Sequence, residues 1–126
     1  MVTFGKIETD KSVAKREAAY GILFNANDEI AVVQTSRGYF LPGGGIEANE
    51  DHKACLVREF QEEIGYVVEV NNFLSSGTLI GYAPGKSKWL EMVGYNYLVT
   101  DTGVRTSIVE TDHTLVWLSL QNARPM

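Results

Sequence analysis

Residues 51–65 predict one well-defined helix, because both of its ends are marked in the sequence. Asp51 is a suitable N-cap, since its carboxylate can accept hydrogen bonds from the free amides of the first turn. Gly65 suits the left-handed conformation in which many helices end. Segments rich in β-branched and aromatic residues, which favour strands, precede and follow this helix. The order of strands, helix and strands predicts a mixed α/β fold rather than repeated βαβ units.

Three glutamates of this helix, Glu59, Glu62 and Glu63, lie on one stripe at spacings i, i+3 and i+4. Like charges at these spacings repel each other by about 0.2–0.5 kcal/mol per pair, and no lysine lies on the stripe to offset them. Clustered carboxylates become favourable when they share a divalent cation, and such oxygen ligands suit Mg²⁺ or Mn²⁺. The alternative is a solvated helix face, which is the more common interpretation of an isolated run of this kind.

Two other side chains of the helix lie on the carboxylate side, one or two turns earlier. We interpret His52 as an exposed first-turn residue and Cys55 as a small packing residue. The loop before the helix, PGGGIEANE, presents backbone where side chains would obstruct a ligand. Its carbonyls and amides can reach a metal or a phosphate, and the alternative is a tight turn between strand and helix.

The remaining segments predict strands. Ala18–Phe24 and Glu29–Thr35 are expected to form a hairpin around the turn sequence NAND. Residues 67–82 and 89–100 alternate in polarity and predict two long strands joined by a loop. Thr114–Leu120 predicts a last strand.

Composition narrows the class of protein. A chain of 126 residues suits one domain with a hydrophobic core, so residues 1–126 are expected to form a single domain. The net charge of −5 argues against nonspecific binding to nucleic acid. The single cysteine, Cys55, excludes an internal disulfide and a zinc cluster. No apolar run reaches membrane-spanning length and no signal-peptide core is found, so a cytoplasmic location is expected.

The glycines, glutamates and arginine together resemble the signature of the Nudix hydrolases. That signature is Gly, five residues, Glu, seven residues, then Arg-Glu-U-x-Glu-Glu-x-Gly-U, where U is a bulky aliphatic or similar residue. Every fixed glycine and polar position is matched, and aromatic residues occupy the two U positions. The matching residues are Gly44, Glu50, Arg58, Glu59, Glu62, Glu63 and Gly65, with Phe60 and Tyr66 at the U positions.

The resemblance implies a fold and a reaction. The fold is an α/β/α sandwich with a mixed β-sheet. The reaction is hydrolysis of a pyrophosphate bond in a nucleoside diphosphate linked to a moiety X, with Mg²⁺ or Mn²⁺ as cofactor. The substrate is then a nucleoside triphosphate, a dinucleoside polyphosphate or a nucleotide sugar. The alternative is a noncatalytic, nucleotide-sensing module that keeps the fold.

The resemblance also implies roles for individual residues. Arg58 is expected to orient the glutamates through charge-assisted hydrogen bonds. Together with Glu59 and Glu62, Arg58 is expected to be a catalytic residue. Glu47 matches a loop glutamate of the family whose role varies. The expected metal ligands are the backbone carbonyl of Gly44 and the carboxylates of Glu50, Glu59, Glu62 and Glu63.

The general base varies in position within the family. The candidates are a signature glutamate or a residue of the segment VETDHT, namely Glu110, Asp112 or His113, of which Glu110 is favoured. The alternative for this segment is a polar turn before the last strand.

Two residues are predicted to bind substrate. Arg37 is a candidate phosphate contact, and the alternative is a plain surface arginine. Tyr82 lies near a position where dinucleoside-polyphosphate hydrolases of the family carry a tyrosine, whereas Pro84 misses the position of a proline in its ADP-ribose hydrolases.

The segment after the last predicted strand departs from the family pattern. Nudix proteins commonly follow this strand with a helix that covers the sheet, whereas only QNARPM follows Leu120 here. Six such residues are too few for a stable helix, so the covering helix is expected to be absent or shortened. Because large apolar side chains alternate on both faces of the last strand, we predict a homodimer that covers the bare face.

Overall fold

The structure is a computed structural model, and it describes residues 3–4, 13–83, 88–108 and 111–119 of the chain. It contains eight described strands and one described helix. In chain order these are β1 (Thr3–Phe4), β2 (Val13–Leu23), β3 (Glu29–Thr35), β4 (Gly38–Phe40), β5 (Gly43–Gly45), α1 (His52–Ile64), β6 (Tyr66–Ala83), β7 (Lys88–Arg105) and β8 (Thr114–Ser119).

The strands form two sheets. A five-stranded mixed sheet has the order β1-β6-β7-β2-β5, in which β2 runs parallel to β7 and antiparallel to β5. A three-stranded antiparallel sheet has the order β4-β3-β8. The helix α1 contacts β2, β5 and β6 of the first sheet and β8 of the second. The mixed α/β fold predicted from the sequence is therefore confirmed.

The apolar face of α1 holds the helix at a fixed depth. The ring of Phe60 is fully buried against β2, where a Cβ on Gly21 would lie 2.5 Å from the ring. Only a glycine at this position lets the ring approach so closely. Removing a buried phenylalanine side chain typically costs about 3–5 kcal/mol. The residues that share this core are Ala19, Leu23, Ala31, Val33, Cys55, Leu56, Ile64, Val68 and Val99.

The predicted ends of the helix are confirmed. The Asp51 carboxylate accepts a hydrogen bond from the Ala54 N–H at 2.7 Å. Gly65 adopts the left-handed conformation, with φ 71°, and its N–H donates to the carbonyl of Gln61. The two long strands after the helix are also confirmed, and each of them spans 18 residues.

The predicted hairpin of the first two strands is wrong. β2 and β3 belong to different sheets, and a single isolated bridge joins Phe24, the residue after β2, to Ile30 of β3. Both edges of β2 are already occupied, since β7 pairs along one edge and β5 along the other. The Gly21 N–H continues this second edge by donating to the Pro42 carbonyl at 2.9 Å. The chain therefore turns after Phe24 and pairs β3 with β4 and β8 instead.

Two further expectations concern the helix that would cover the sheet and helices that could span a membrane. Residues 120–126, on which the prediction about the covering helix depends, lie outside the described residues. Among the residues that are described, no helix has the length and apolarity needed to cross a membrane.

Candidate functional site

The strand β5 brings three consecutive glycines against α1. Gly43 pairs with Tyr20 and Gly44 pairs with Ala19 in β2. Gly43 has φ 145°, and a Cβ there would lie 2.1 Å from the Ala19 carbonyl oxygen. This position therefore requires glycine, both for its conformation and for its close approach to β2.

Gly44 is the contact between the loop and the carboxylates. A Cβ on Gly44 would lie 2.8 Å from Cδ of Glu59, so the missing side chain leaves room for this carboxylate. The Cys55 thiol lies 3.4 Å from the Gly44 carbonyl oxygen, on the buried side of the loop. Burial and the charges of Glu50 and Glu59 raise the pKa of this thiol to about 11. The thiol is thus protonated, and it can donate to the carbonyl.

Arg58 connects the carboxylates to one another. Its Nε and Nη2 donate to the two oxygens of Glu50 at 2.7 and 3.0 Å. Its Nη1 donates to Glu59 at 2.9 Å and to Glu62 at 3.2 Å, and Nη2 also reaches the Gly45 carbonyl at 3.0 Å. The hydrogen bond from Arg58 is the largest cause that lowers the Glu50 pKa to about 2. One guanidinium therefore holds three carboxylates close together and keeps Glu50 ionised.

Glu63 is the most deeply placed carboxylate of the stripe. It is buried, and its Oε1 accepts a hydrogen bond from the Gly43 N–H at 2.8 Å. Its Oε2 lies 3.9 Å from Nδ1 of His113. Burial, followed by the charges of Glu63 and Glu59, raises the pKa of Tyr20, so the phenol stays protonated near the carboxylates.

The carboxylates of the stripe and the nearby backbone carbonyls are the kind of oxygen ligand that binds a hard divalent cation. The carboxylates are, however, hydrogen-bonded to other groups of the protein. No three His, Cys, Asp or Glu side chains of the described residues are grouped closely enough to hold a metal ion. Arg58 holds Glu50, Glu59 and Glu62, while the backbone of Gly43 holds Glu63. Carboxylate and carbonyl oxygens are the ligands that Mg²⁺ and Mn²⁺ prefer. The residues fit such a cation if the glutamates turn from Arg58 towards the Gly44 carbonyl.

Comparison with protein families identifies the chain. The NUDIX domain model matches residues 14–126. The chain belongs to the Nudix family. The match confirms the resemblance that the signature indicated. Membership of this family also supports the prediction that the protein is a pyrophosphohydrolase. Comparison with curated protein sequences finds no match.

Solved structures share the Nudix fold at low identity. An ADP-ribose pyrophosphatase from Streptococcus suis is 21% identical with a TM-score of 0.66, covering 88% of this chain and 78% of its own. A MutT NUDIX hydrolase from Burkholderia pseudomallei is 19% identical with a TM-score of 0.63, covering 90% and 89%. A UDP-X diphosphatase is 15% identical with a TM-score of 0.68, covering 90% of this chain and 55% of its own. At these identities the likeness shows the fold alone.

Of the candidate general bases in the segment VETDHT, Asp112 and His113 lie within the described residues. Glu110, which the sequence favoured, lies outside the described residues. Asp112 and His113 border a cavity that also reaches Glu63. Asp112 accepts a hydrogen bond from the Ser36 hydroxyl at 3.5 Å.

Of the two predicted substrate contacts, Arg37 has its side chain within the described part of the chain and Tyr82 does not. Arg37 is exposed and borders the cavity beside Glu63. The backbone of Tyr82 pairs with Trp89 near the end of the hairpin, and its side chain lies outside the described part of the chain. The loop carboxylate of Glu47 is exposed and lies 3.6 Å from Arg58 Nη1.

The exposed position predicted for His52 is wrong. Its Nδ1 lies 2.6 Å from the Tyr97 hydroxyl, and its ring lies 4.3 Å from that of Tyr95. These tyrosines come from β7, 45 positions away in the case of Tyr97. No pattern near His52 in the sequence indicates these partners. The packing role predicted for Cys55 is confirmed, since the residue is fully buried.

Proposed function

We propose that this Nudix domain hydrolyses a pyrophosphate bond in a nucleoside diphosphate linked to a second moiety X, with Mg²⁺ or Mn²⁺. One observation carries the proposal: Glu59 lies against the Gly44 backbone, and Arg58 joins it to Glu50 and Glu62. A noncatalytic sensing module, the alternative predicted from the sequence, would be favoured by the loss of signature glutamates. None of them is lost.

The carboxylates of Glu59, Glu62 and Glu63 and the Gly44 carbonyl would hold the cation, with Glu50 helping directly or through water. A bound divalent cation screens the charge of the pyrophosphate and orients or acidifies water. Arg58 keeps Glu50 ionised and holds Glu59 and Glu62 beside it through hydrogen bonds. The glycine loop leaves backbone, rather than side chains, facing the phosphates.

The reaction needs a group that accepts a proton. Water attacks one phosphorus, the bond from that phosphorus to the bridging oxygen breaks, and the two halves leave as phosphates. The proton of the attacking water passes to the base. Glu110 remains the predicted base, and Asp112 and His113 remain the alternatives beside the cavity. The variants Glu110→Gln, Asp112→Asn and His113→Gln separate these candidates by their kcat.

The wider setting is part of the same proposal. We propose a single domain that takes a small nucleotide as its partner, binds neither nucleic acid nor membrane, and is located in the cytoplasm. We also propose a homodimer through the outer face of the three-stranded sheet. On this face, Val116 and Leu118 of β8 pair with Val32 and Ile30 of β3.

A panel of nucleoside diphosphate derivatives tests the reaction. Purified protein is incubated with each compound and Mg²⁺, and the phosphate products are followed by phosphorus NMR. On a substrate that is hydrolysed, Glu62→Gln and Glu63→Gln are expected to lower kcat by orders of magnitude, since ligation is lost while shape is kept.

The matched control is Glu69→Gln, the same chemical change at an exposed position of β6. It is expected to leave kcat and the circular dichroism spectrum unchanged. Near-normal turnover of both Glu62→Gln and Glu63→Gln would contradict the site assignment.

A further inference from the structure

Two cavities of similar size border the strand β5. One, of about 430 Å³, borders Gly43, Gly44 and Glu63. The other, of about 440 Å³, borders Gly45. Tyr20 borders both cavities, and its ring lies 2.9 Å from where a Cβ on Gly43 would be and 3.5 Å from where one on Gly94 would be. A diphosphate bound at β5 would therefore have one cavity for each of its two substituents.

The cavity beside Gly45 has an apolar floor, with the charged residues Arg16 and Glu17 at its border, and we call it the ring cavity. Ala18, Gly94 and Gly77 lie side by side across β2, β7 and β6. A Cβ on Gly77 would meet no atom within 4 Å, and one on Gly94 would lie 3.5 Å from the Tyr20 ring. The floor is thus open backbone with the Tyr20 ring as one wall. Such a surface suits a planar ring, which can stack on an aromatic wall.

One further side chain favours a ligand in the ring cavity. Met92 borders it and is 44% exposed, so its thioether is available for contact with an aromatic ring. Thr78 borders the cavity through its backbone, because side chains alternate along a strand and that of Thr78 is buried on the opposite face of the sheet from Gly77.

The cavity beside Glu63 has a different character, and we call it the polar cavity. The guanidinium of Arg37, the Ser36 hydroxyl, the Asp112 carboxylate and the His113 imidazole border it, together with the apolar Phe40. These groups can donate to and accept from hydroxyl or phosphate oxygens. An aromatic base placed there would lie against these polar groups without satisfying all of them, which is unfavourable, whereas the glycines of the ring-cavity floor carry no polar side chain.

We propose that Tyr20 divides the substrate site, so that the nucleoside base binds in the ring cavity and moiety X binds in the polar cavity. The preferred substrates are then nucleoside diphosphates whose X is a sugar or another hydroxyl-rich group, rather than a second nucleoside. This inference rests on the proposed function. It opposes the indication from Tyr82, whose position pointed to dinucleoside polyphosphates.

A matched pair of substrates tests the class. ADP-ribose and P¹,P²-di(adenosine-5′) diphosphate share adenosine, diphosphate and a second ribose, and the latter adds a second adenine. We expect kcat/KM to be at least about tenfold higher for ADP-ribose or ADP-glucose than for the dinucleotide, since a site built for hydroxyls discriminates strongly against a group that leaves its polar atoms unpaired. Equal rates, or a preference for the dinucleotide, would overturn the inference.

A variant that fills the ring cavity tests which end of the substrate binds there. Gly77→Val adds an isopropyl group whose Cβ meets no protein atom within 4 Å, and valine suits a strand. We expect kcat/KM for ADP-ribose to fall at least about tenfold, while that for ribose 5-diphosphate, which has no nucleoside base to place, stays within about twofold. The control is Ser75→Val, an exposed position on the same face of β6. Equal losses for both substrates would overturn the inference.

Binding without turnover separates the two proposals. Adenosine is mixed with the protein in EDTA, and saturation transfer to its ring protons is measured by NMR. Transfer is expected with the wild type and Ser75→Val, and at least about fivefold less with Gly77→Val. Absence of this difference would overturn the ring cavity even for an active enzyme. If no compound of the panel is hydrolysed, the proposed function is overturned instead, whether or not adenosine binds.

Discussion

The structure offers two bidentate arginine–carboxylate pairs of different burial, and they allow a controlled test of the network around Arg58. Arg58 donates to both oxygens of Glu50 at 2.7 and 3.0 Å, and these side chains are 23% and 12% exposed. Arg105 donates to both oxygens of Asp101 at 2.8 and 2.8 Å, and these side chains are 46% and 33% exposed. The perturbation is Glu50→Gln, and Asp101→Asn is its control.

The expected magnitude follows from the Glu50 pKa, which lies at about 2 rather than 4.5. At about 1.4 kcal/mol for each pH unit, the interactions of the ionised carboxylate contribute at most about 3 kcal/mol. Solvent screening reduces this value, and removing the charge also relieves repulsion with Glu59 and Glu62. We therefore expect Glu50→Gln to lower the free energy of unfolding by about 1–2 kcal/mol at pH 7. Asp101→Asn is expected to lower it by less than about 1 kcal/mol.

The pH dependence has a defined sign. Because the folded-state pKa of Glu50 is lower than its ordinary value, its contribution is complete above about pH 4.5. It is lost as the pH falls through the folded-state value towards about 2. The difference in stability between wild type and Glu50→Gln should therefore be constant from pH 7 to about 5. It should shrink progressively below that range.

Urea unfolding followed by circular dichroism measures these quantities at pH 7, 4 and 3. Equal destabilisation by Glu50→Gln and Asp101→Asn at pH 7 would refute the reasoning from burial. A difference between wild type and Glu50→Gln that is as large at pH 3 as at pH 7 would refute the pKa argument.

Three further predictions concern the metal, the loop and the assembly. Millimolar Mg²⁺ or Mn²⁺ is expected to raise the melting temperature, because a cation that binds only the folded state stabilises it by mass action. Glu59→Gln should reduce this rise, and identical melting curves in EDTA and Mn²⁺ would contradict the metal assignment. Gly44→Ala is expected to lower kcat at least about tenfold with unchanged circular dichroism, since its Cβ would lie 2.8 Å from Glu59 Cδ and displace a ligand; an unaltered kcat would show that Glu59 can move without consequence. Light scattering at micromolar concentration is expected to give about twice the mass of one chain, and a clean monomer would exclude the homodimer.

The helix and its carboxylates could be predicted because their signals are local. The Asp51 cap and the Gly65 terminus act within one turn of the helix. The spacing of Glu59, Glu62 and Glu63 fixes their common stripe as soon as the helix forms. The signature identified the family for the same reason, since all of its residues lie within one continuous segment, Gly44 to Tyr66.

The sheet pairing could not be predicted from the same kind of signal. A turn between two apolar segments favours a hairpin, yet β2 uses both of its edges for β7 and β5. Which strand edges meet depends on pairings between distant segments, and the sequence near the turn does not contain that information. The contact of His52 with Tyr97 was missed for the same reason.

By itself, the sequence determined the helix, the ionisable groups on its stripe, and hence the family and the class of reaction. Only the tertiary structure decided which partners those groups have: Arg58 with Glu50, Glu63 with the Gly43 amide, and Tyr20 between two unlike cavities. The physical reason is one of distance along the chain. Helix capping and periodicity are set by neighbouring residues, whereas the shape and polarity of a substrate site are set by strands that meet only after the chain has folded.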